Sequence, residues 1–143
     1  MEFDLFSLTP NQYNKGMRRI FLKTSLISAL AFVLRAEDNK KLTPEEIDQY
    51  VKAGKYFLLD VRTNEELEQL GSVKGYHHIP LPDLEKRYVE IPKSAEVVTM
   101  CERGGRAGRA ADLLKSKGYK VVAICGLMEY REKGFESVKV PKK

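Results

Sequence analysis

Three stretches of this chain are apolar almost without a break, and each is short: residues 55–61 (KYFLLDV), 96–100 (EVVTM) and 119–124 (YKVVAI). A strand with one wet face alternates apolar and polar residues, so a continuous apolar run means a strand covered on both faces. Residues 76–79 supply a fourth strand candidate. Helical segments separate these runs, and strands in alternation with helices specify an α/β layer fold with a mainly parallel sheet. Such folds carry their chemistry at the carboxyl ends of the strands. Asp60, Cys101 and Cys125 all stand at or near those ends.

The helices are signalled by their ends. Thr43-Pro44-Glu45-Glu46 has a hydroxyl to cap the first turn, a proline that tolerates it and acids near the positive dipole end, and Gly54 stops that helix. Residues 64–70 form a short acidic helix closed by Gly71, and residues 83–88 another after an extended Pro80-Leu81-Pro82. Residues 106–117 are helical, with Ala110, Leu113 and Leu114 inward and Gly118 as the stop, and residues 127–133 make the last helix before Gly134. The lysine-rich end reads as a solvated tail.

With 143 residues the chain has room for one domain. Its net charge of +5 includes +3 from residues 1–36, and no basic stripe with interleaved aromatics follows, so nucleic acid is not an expected partner. Two cysteines are too few for a disulfide scaffold or a Cys-only zinc site.

Residues 1–36 read as an address separate from the domain at 37–143. From Met17, a basic start precedes an apolar run from Ile20 to Leu34 interrupted by Lys23, and Ala36 marks a cleavage point before a charged region. The layout is that of a removable signal peptide; an uncleaved inner-membrane anchor and a helix of the domain are the alternatives. Arg18-Arg19 ahead of the apolar run resembles the bacterial twin-arginine signal, which implies a periplasmic or exported protein. The aperiodic residues before Met17 suggest translation from Met17.

The sharpest local feature is Cys101-Glu102-Arg103-Gly104-Gly105-Arg106. Strand, cysteine, glycine-rich loop and helix form a recipe for an anion nest. The glycines let the backbone curl with positive φ and turn N–H groups inward, and the helix adds its positive end. A cysteine there is favoured as thiolate, and the same nest stabilises charge on an attached outer sulfur. Arg103 and Arg106 add charge-assisted donors. A surface turn with an inert cysteine is the plainer alternative.

At this point the chain resembles the single-domain rhodaneses, a family of sulfurtransferases. The likeness runs from about Leu42 to Phe135. It rests on a helix like LTPEEIDQYVKAG, the strand end Asp60-Val61-Arg62 and the Ile79-Pro80-Leu81 stretch. It continues through the loop of a cysteine, four residues and an arginine, and ends with Gly126, Tyr130 and Gly134. The departures are Gly71-Ser72-Val73, Ala107, Cys125-Gly126 and Tyr130, where the family commonly has a Gly-His-Ile turn, a hydroxyl, paired glycines and tryptophan.

The resemblance implies a three-layer fold around a five-stranded, mainly parallel sheet. It implies transfer of a sulfane sulfur from thiosulfate or a similar small anion, through a persulfide on Cys101, to a thiol, a protein acceptor or cyanide. Loop residues Glu102 to Arg106 hold that sulfur, Asp60 and Arg62 support the loop, and no metal or organic cofactor takes part. Membrane contact enters only through an uncleaved N-terminal segment.

Related cysteine phosphatases place five residues between cysteine and arginine, so four favour sulfur over a larger oxyanion. A non-catalytic sulfur carrier or redox sensor is the alternative. So is a Cys101–Cys125 disulfide acting as a switch, if their strands lie side by side at ~4.8 Å. His77 and His78, adjacent on a strand, point to opposite faces and make poor joint ligands. Glu102, the one acid in the loop, and Arg109 leave the charge offered to a donor undecided.

Overall fold

The computed structural model describes residues 38–142. The leader, the start at Met17 and the boundary at residue 37 lie outside the described residues. From Asn39 onward the chain forms one compact unit.

Its centre is a parallel sheet of β1 (Phe57–Asp60), β2 (Tyr76–His78), β3 (Glu96–Cys101) and β4 (Lys120–Gly126), in the order β2-β1-β3-β4. The helices are α1 (Pro44–Ala53), α2 (Asn64–Leu70), α3 (Leu81–Arg87), α4 (Gly105–Ser116) and α5 (Leu127–Glu132), with a short 3-10 turn at Tyr88–Glu90. The Pro80-Leu81-Pro82 stretch is not extended throughout: Pro80 is the cap and Pro82 sits in the first turn of α3. Proline is tolerated there because the first helical N–H groups have no intrahelical acceptor.

The continuous apolar runs are explained by two cores. Leu59, Val97 and Cys101 pack with Leu84 of α3 and with Ala107, Ala110 and Leu114 of α4. Leu58, Val98, Met100, Ala123 and Cys125 pack with Ile47 of α1 and with Leu127 and Tyr130 of α5. Neighbours in one strand thus enter different cores, as the period of two requires. The small alanines on α4 bring that helix close to β3 and β4.

Two further elements differ from expectation. Among the described residues the sheet has four named strands, not five. The place of a fifth is taken by one parallel bridge, Lys41 to Ile124: the Leu42 amide donates to the Ile124 carbonyl at 3.0 Å, and the Ile124 amide to the Lys40 carbonyl at 2.8 Å. It goes no further because Thr43 already caps α1, through a reciprocal capping box with Glu46. The chain end is also not wholly solvated. Ser72 and Val138 exchange backbone hydrogen bonds of 3.0 and 2.7 Å. A Cβ on Gly71, at φ +68, would stand 2.5 Å from the Val138 carbonyl oxygen, so this glycine admits the strap.

Candidate active site

Cys101 is the last residue of β3, and its register partner on β4 is Gly126. The chain then leaves the sheet, and Gly104 makes the turn with φ +99. Gly105 does not share that conformation: it is the first residue of α4. The turn needs one left-handed residue, and the second glycine begins the helix.

This path folds the loop back over its own cysteine. The Gly104 amide donates to Cys101 Sγ at 3.0 Å and the Ala107 amide at 3.3 Å. Thr99, fully buried on β3, fixes the second donor, because its hydroxyl donates to the Ala107 carbonyl at 2.8 Å. Ala107 thus contributes through its backbone, with its methyl group packed in the core. The amides of Gly105 and Arg106, in the first turn of α4, have no intrahelical acceptor and add to the positive end there.

The far side of the loop is pinned as well. The Met128 amide donates to the Glu102 carbonyl at 3.0 Å. A Cβ on Gly126 would lie 3.1 Å from the Arg103 carbonyl carbon, so the missing side chain lets the loop rest on β4.

Below the loop lies a buried ion pair. Arg62 and Asp60 are both 0% exposed. Arg62 Nε donates to Asp60 Oδ1 at 3.0 Å, and Nη2 donates to Oδ2 and to the Gly71 carbonyl, each at 2.7 Å. The Ser72 hydroxyl donates to the same Asp60 carboxylate at 2.7 Å, and His78 Nε2 to the Arg62 carbonyl at 2.7 Å. Burial pulls the Arg62 guanidinium down, but the Asp60 hydrogen bonds and charge outweigh it, and the net shift is upward. His77 instead stacks on Phe57, with ring centres 4.0 Å apart.

The acid of the loop now has a place. The Glu102 carboxylate is held by Arg62 Nη1 at 3.4 Å and, on its other oxygen, by Arg131. It braces the loop against two cations. Arg106 is likewise engaged, since its guanidinium grips Glu66 of α2 in a two-pronged pair of 2.6 and 2.5 Å. Arg103 and Arg109 are exposed. An open hollow of about 550 Å³ above Cys101 is lined by Glu66, Glu102, Arg103, Arg106 and Arg109. The cysteine is 1% exposed, and it borders that hollow.

A Cys101–Cys125 disulfide is not compatible with this register. Met100 pairs with Cys125, and Cys101 with Gly126, so the two thiols lie on opposite faces of the sheet, in different cores. Both are free. Burial pushes the Cys125 thiol far up.

Sequence reasoning placed Asp60, Arg62, Cys101 and the loop, and the fold brings them together. It missed Glu66, Ser72, Thr99 and Arg131. Glu66 and Arg131 carry no such signal, since their partners Arg106 and Glu102 lie 40 and 29 residues away. Ser72 and Thr99 have nearer partners, but nothing local shows that their hydroxyls turn inward. The structure shows Glu66 as the third residue of a capping box on Thr63, a local pattern that says nothing of Arg106.

The Glu66 pair predicts a pH dependence. The Arg106 hydrogen bonds are the main cause holding this carboxyl at about 2 against an ordinary 4.5. The folded-state value is depressed, so the pair stabilises fully above the ordinary value and is lost as pH falls toward 2. The stability gap between wild type and Glu66→Gln, from urea midpoints, is expected to shrink steadily from about pH 5 to about pH 2.5. A gap independent of pH over that window contradicts the assignment.

Comparison with known proteins gives the chain a family. The sequence profile of the rhodanese-like domain matches residues 43–133. The chain belongs to that family. An uncharacterized Bacillus subtilis protein, YqhL, is 35% identical over 101 residues, which cover 69% of this chain and 76% of that one. Of another Bacillus subtilis relative, 40% identical over 65 residues, the chain spans only about a third, 35%.

Among solved structures, the polysulfide-sulfur transferase homodimer of Wolinella succinogenes superposes with a TM-score of 0.60 at 25% identity, covering 82% of this chain and 90% of that one. A rhodanese-related protein of Thermoplasma volcanium gives 0.62 at 24% identity, covering 69% and 97%, and supports the fold alone. In this rhodanese-like domain the Cys101 loop is where the two amides on Sγ, the Glu102 brace and the Arg106–Glu66 pair meet.

Proposed function

We propose that this rhodanese-like domain is a sulfurtransferase that carries a sulfane sulfur as a persulfide on Cys101. The family and its sulfur-transferring members support the class of reaction. The observation that carries the assignment of Cys101 is the convergence of the Gly104 and Ala107 amides on its Sγ. Two N–H dipoles at the end of a helix stabilise negative charge that develops on sulfur, and they do so in a place largely shut off from water.

The Cys101 thiolate attacks the outer sulfur of a donor such as thiosulfate. A new S–S bond forms at Cys101, the S–S bond of the donor breaks, and sulfite leaves with its electron pair. The outer sulfur of the persulfide then carries the negative charge, facing the hollow and the first turn of α4. An acceptor thiolate, or cyanide in an assay, attacks that sulfur. The persulfide bond breaks and its electrons return to Cys101. No proton need move when donor, acceptor and cysteine all react as anions. Export to the periplasm, proposed from the leader alone, would set such a reaction outside the cytoplasm.

The test is intact mass of the purified chain after incubation with thiosulfate. A gain of one sulfur, discharged by cyanide with release of thiocyanate, is the expected result. No gain, together with turnover of an aryl phosphate, would replace this reading by that of a phosphatase. A gain that cyanide or thiols never discharge would make the chain a carrier and not an enzyme.

A further inference from the structure

We propose that Glu66 sets which donors the hollow accepts: by holding the Arg106 guanidinium it disfavours donors with two negative charges relative to donors with one. The proposal rests on the sulfur-transfer reading above and concerns a residue on a different element from the cysteine loop.

The hollow has three cations, Arg103, Arg106 and Arg109, and two acids, Glu66 and Glu102. Glu102 is occupied by Arg62 and Arg131, which turns it into a brace. Glu66 is different. Its two oxygens take both terminal nitrogens of Arg106, at 2.5 and 2.6 Å, the fork geometry with which arginine otherwise grips an oxyanion.

The partners are also locked. Glu66 Oε2 accepts from the Thr63 amide at 3.0 Å, and the Glu66 amide donates to the Thr63 hydroxyl at 3.3 Å, so the capping box of α2 fixes this side chain. Arg106 stands in the first turn of α4, between the two residues whose amides meet Sγ.

The two remaining cations stand differently. Arg103 and Arg109 are exposed, and among the described residues neither makes an ion pair. Arg109 is one helical turn beyond Arg106, ~4.5 Å along the axis. Positive charge is therefore free at the rim and committed near the nucleophile.

Thiosulfate carries two charges packed close to the sulfur it transfers. Near Cys101 it meets a guanidinium already spoken for and a fixed carboxylate that repels it. Methanethiosulfonate offers the same terminal sulfur with one charge and leaves as methanesulfinate. Coulomb repulsion from Glu66 scales with the donor's charge, so the single charge suffers about half the penalty.

The test is Glu66→Gln assayed with both donors. Glutamine still closes the capping box, so α2 keeps its start, which an unchanged far-UV circular dichroism spectrum checks. The value of kcat/KM is expected to rise ~10-fold for thiosulfate, the scale of one freed charge-assisted contact. For methanethiosulfonate the rise is about threefold, the square root of that factor. Adding Arg106→Ala to Glu66→Gln abolishes the thiosulfate gain, because the freed fork is then gone.

Equal factors for both donors, no change, or a gain that survives Arg106→Ala overturns the proposal. If wild type gains sulfur from both donors in the mass assay and the ratio does not move, only the role of Glu66 falls. If Cys101 gains sulfur from neither, the sulfur-transfer reading falls and takes this proposal with it.

Discussion

Cys101→Ser is expected to lose sulfur transfer by at least ~10³-fold in kcat/KM, with the protein still folded. A serine hydroxyl is far less acidic than a thiol and forms no persulfide, so the step that stores sulfur has no substitute. The hydroxyl oxygen still accepts from the Gly104 and Ala107 amides that now meet Sγ at 3.0 and 3.3 Å. The loop therefore keeps its closure, and stability is expected to change by only about 1 kcal/mol. The control is Cys125→Ala. That thiol sits on the other face of the sheet, and the variant is expected to take up sulfur like the wild type. Intact mass after thiosulfate reads both variants. Sulfur retained on Cys101→Ser and absent from Cys125→Ala would move the nucleophile to the other strand.

Arg62→Ala is the variant with the largest expected cost in stability, roughly 3–5 kcal/mol. The side chain is 0% exposed, as is the Asp60 carboxylate it holds. Removing the cation leaves a buried carboxylate with the Ser72 hydroxyl and one backbone amide, and an uncompensated buried charge is among the costliest defects in a core. The same change releases the Gly71 carbonyl and one of the two cations on Glu102. Arg62→Lys is expected to recover only part of the loss, since one ammonium replaces a planar fork that meets Asp60, Gly71 and Glu102 in different directions. Urea denaturation at neutral pH measures both variants. A loss below about 1 kcal/mol for Arg62→Ala would show that the pair is solvated in solution.

The two predictions connect parts of the molecule that differ in how far local sequence reveals them. The Cys101 loop is encoded within six consecutive residues, and its glycine, cysteine and helix start could be read from their order alone. The brace beneath it was half visible. The Asp60-Val61-Arg62 triplet announced itself at a strand end, yet nothing near it indicated that Arg62 would point inward or that Gly71 and Ser72 would complete its shell. The Glu66–Arg106 pair was not legible at all, because its members are 40 residues apart and each has a local role that accounts for it: a cap in one case, a loop cation in the other. The fifth strand failed for a related reason. The expectation came from family likeness, while the capping box at Thr43 bends the chain away after a single bridge.

By itself the sequence determined the alternation of buried strands and capped helices, and with it the layered parallel sheet that puts Cys101 at a strand end. Those are local properties, set by apolar runs, caps and the few residues able to turn the chain. The charge that the site presents was decided only in three dimensions. Three arginines and a glutamate between residues 102 and 109 suggest a basic rim with one flaw, but the fold spends Glu102 on Arg62 and Arg131 and lends Arg106 to Glu66. It also sends the two cysteines to opposite faces. Pairing of this kind follows from register and helix placement across the sheet, which no stretch of chain carries within itself.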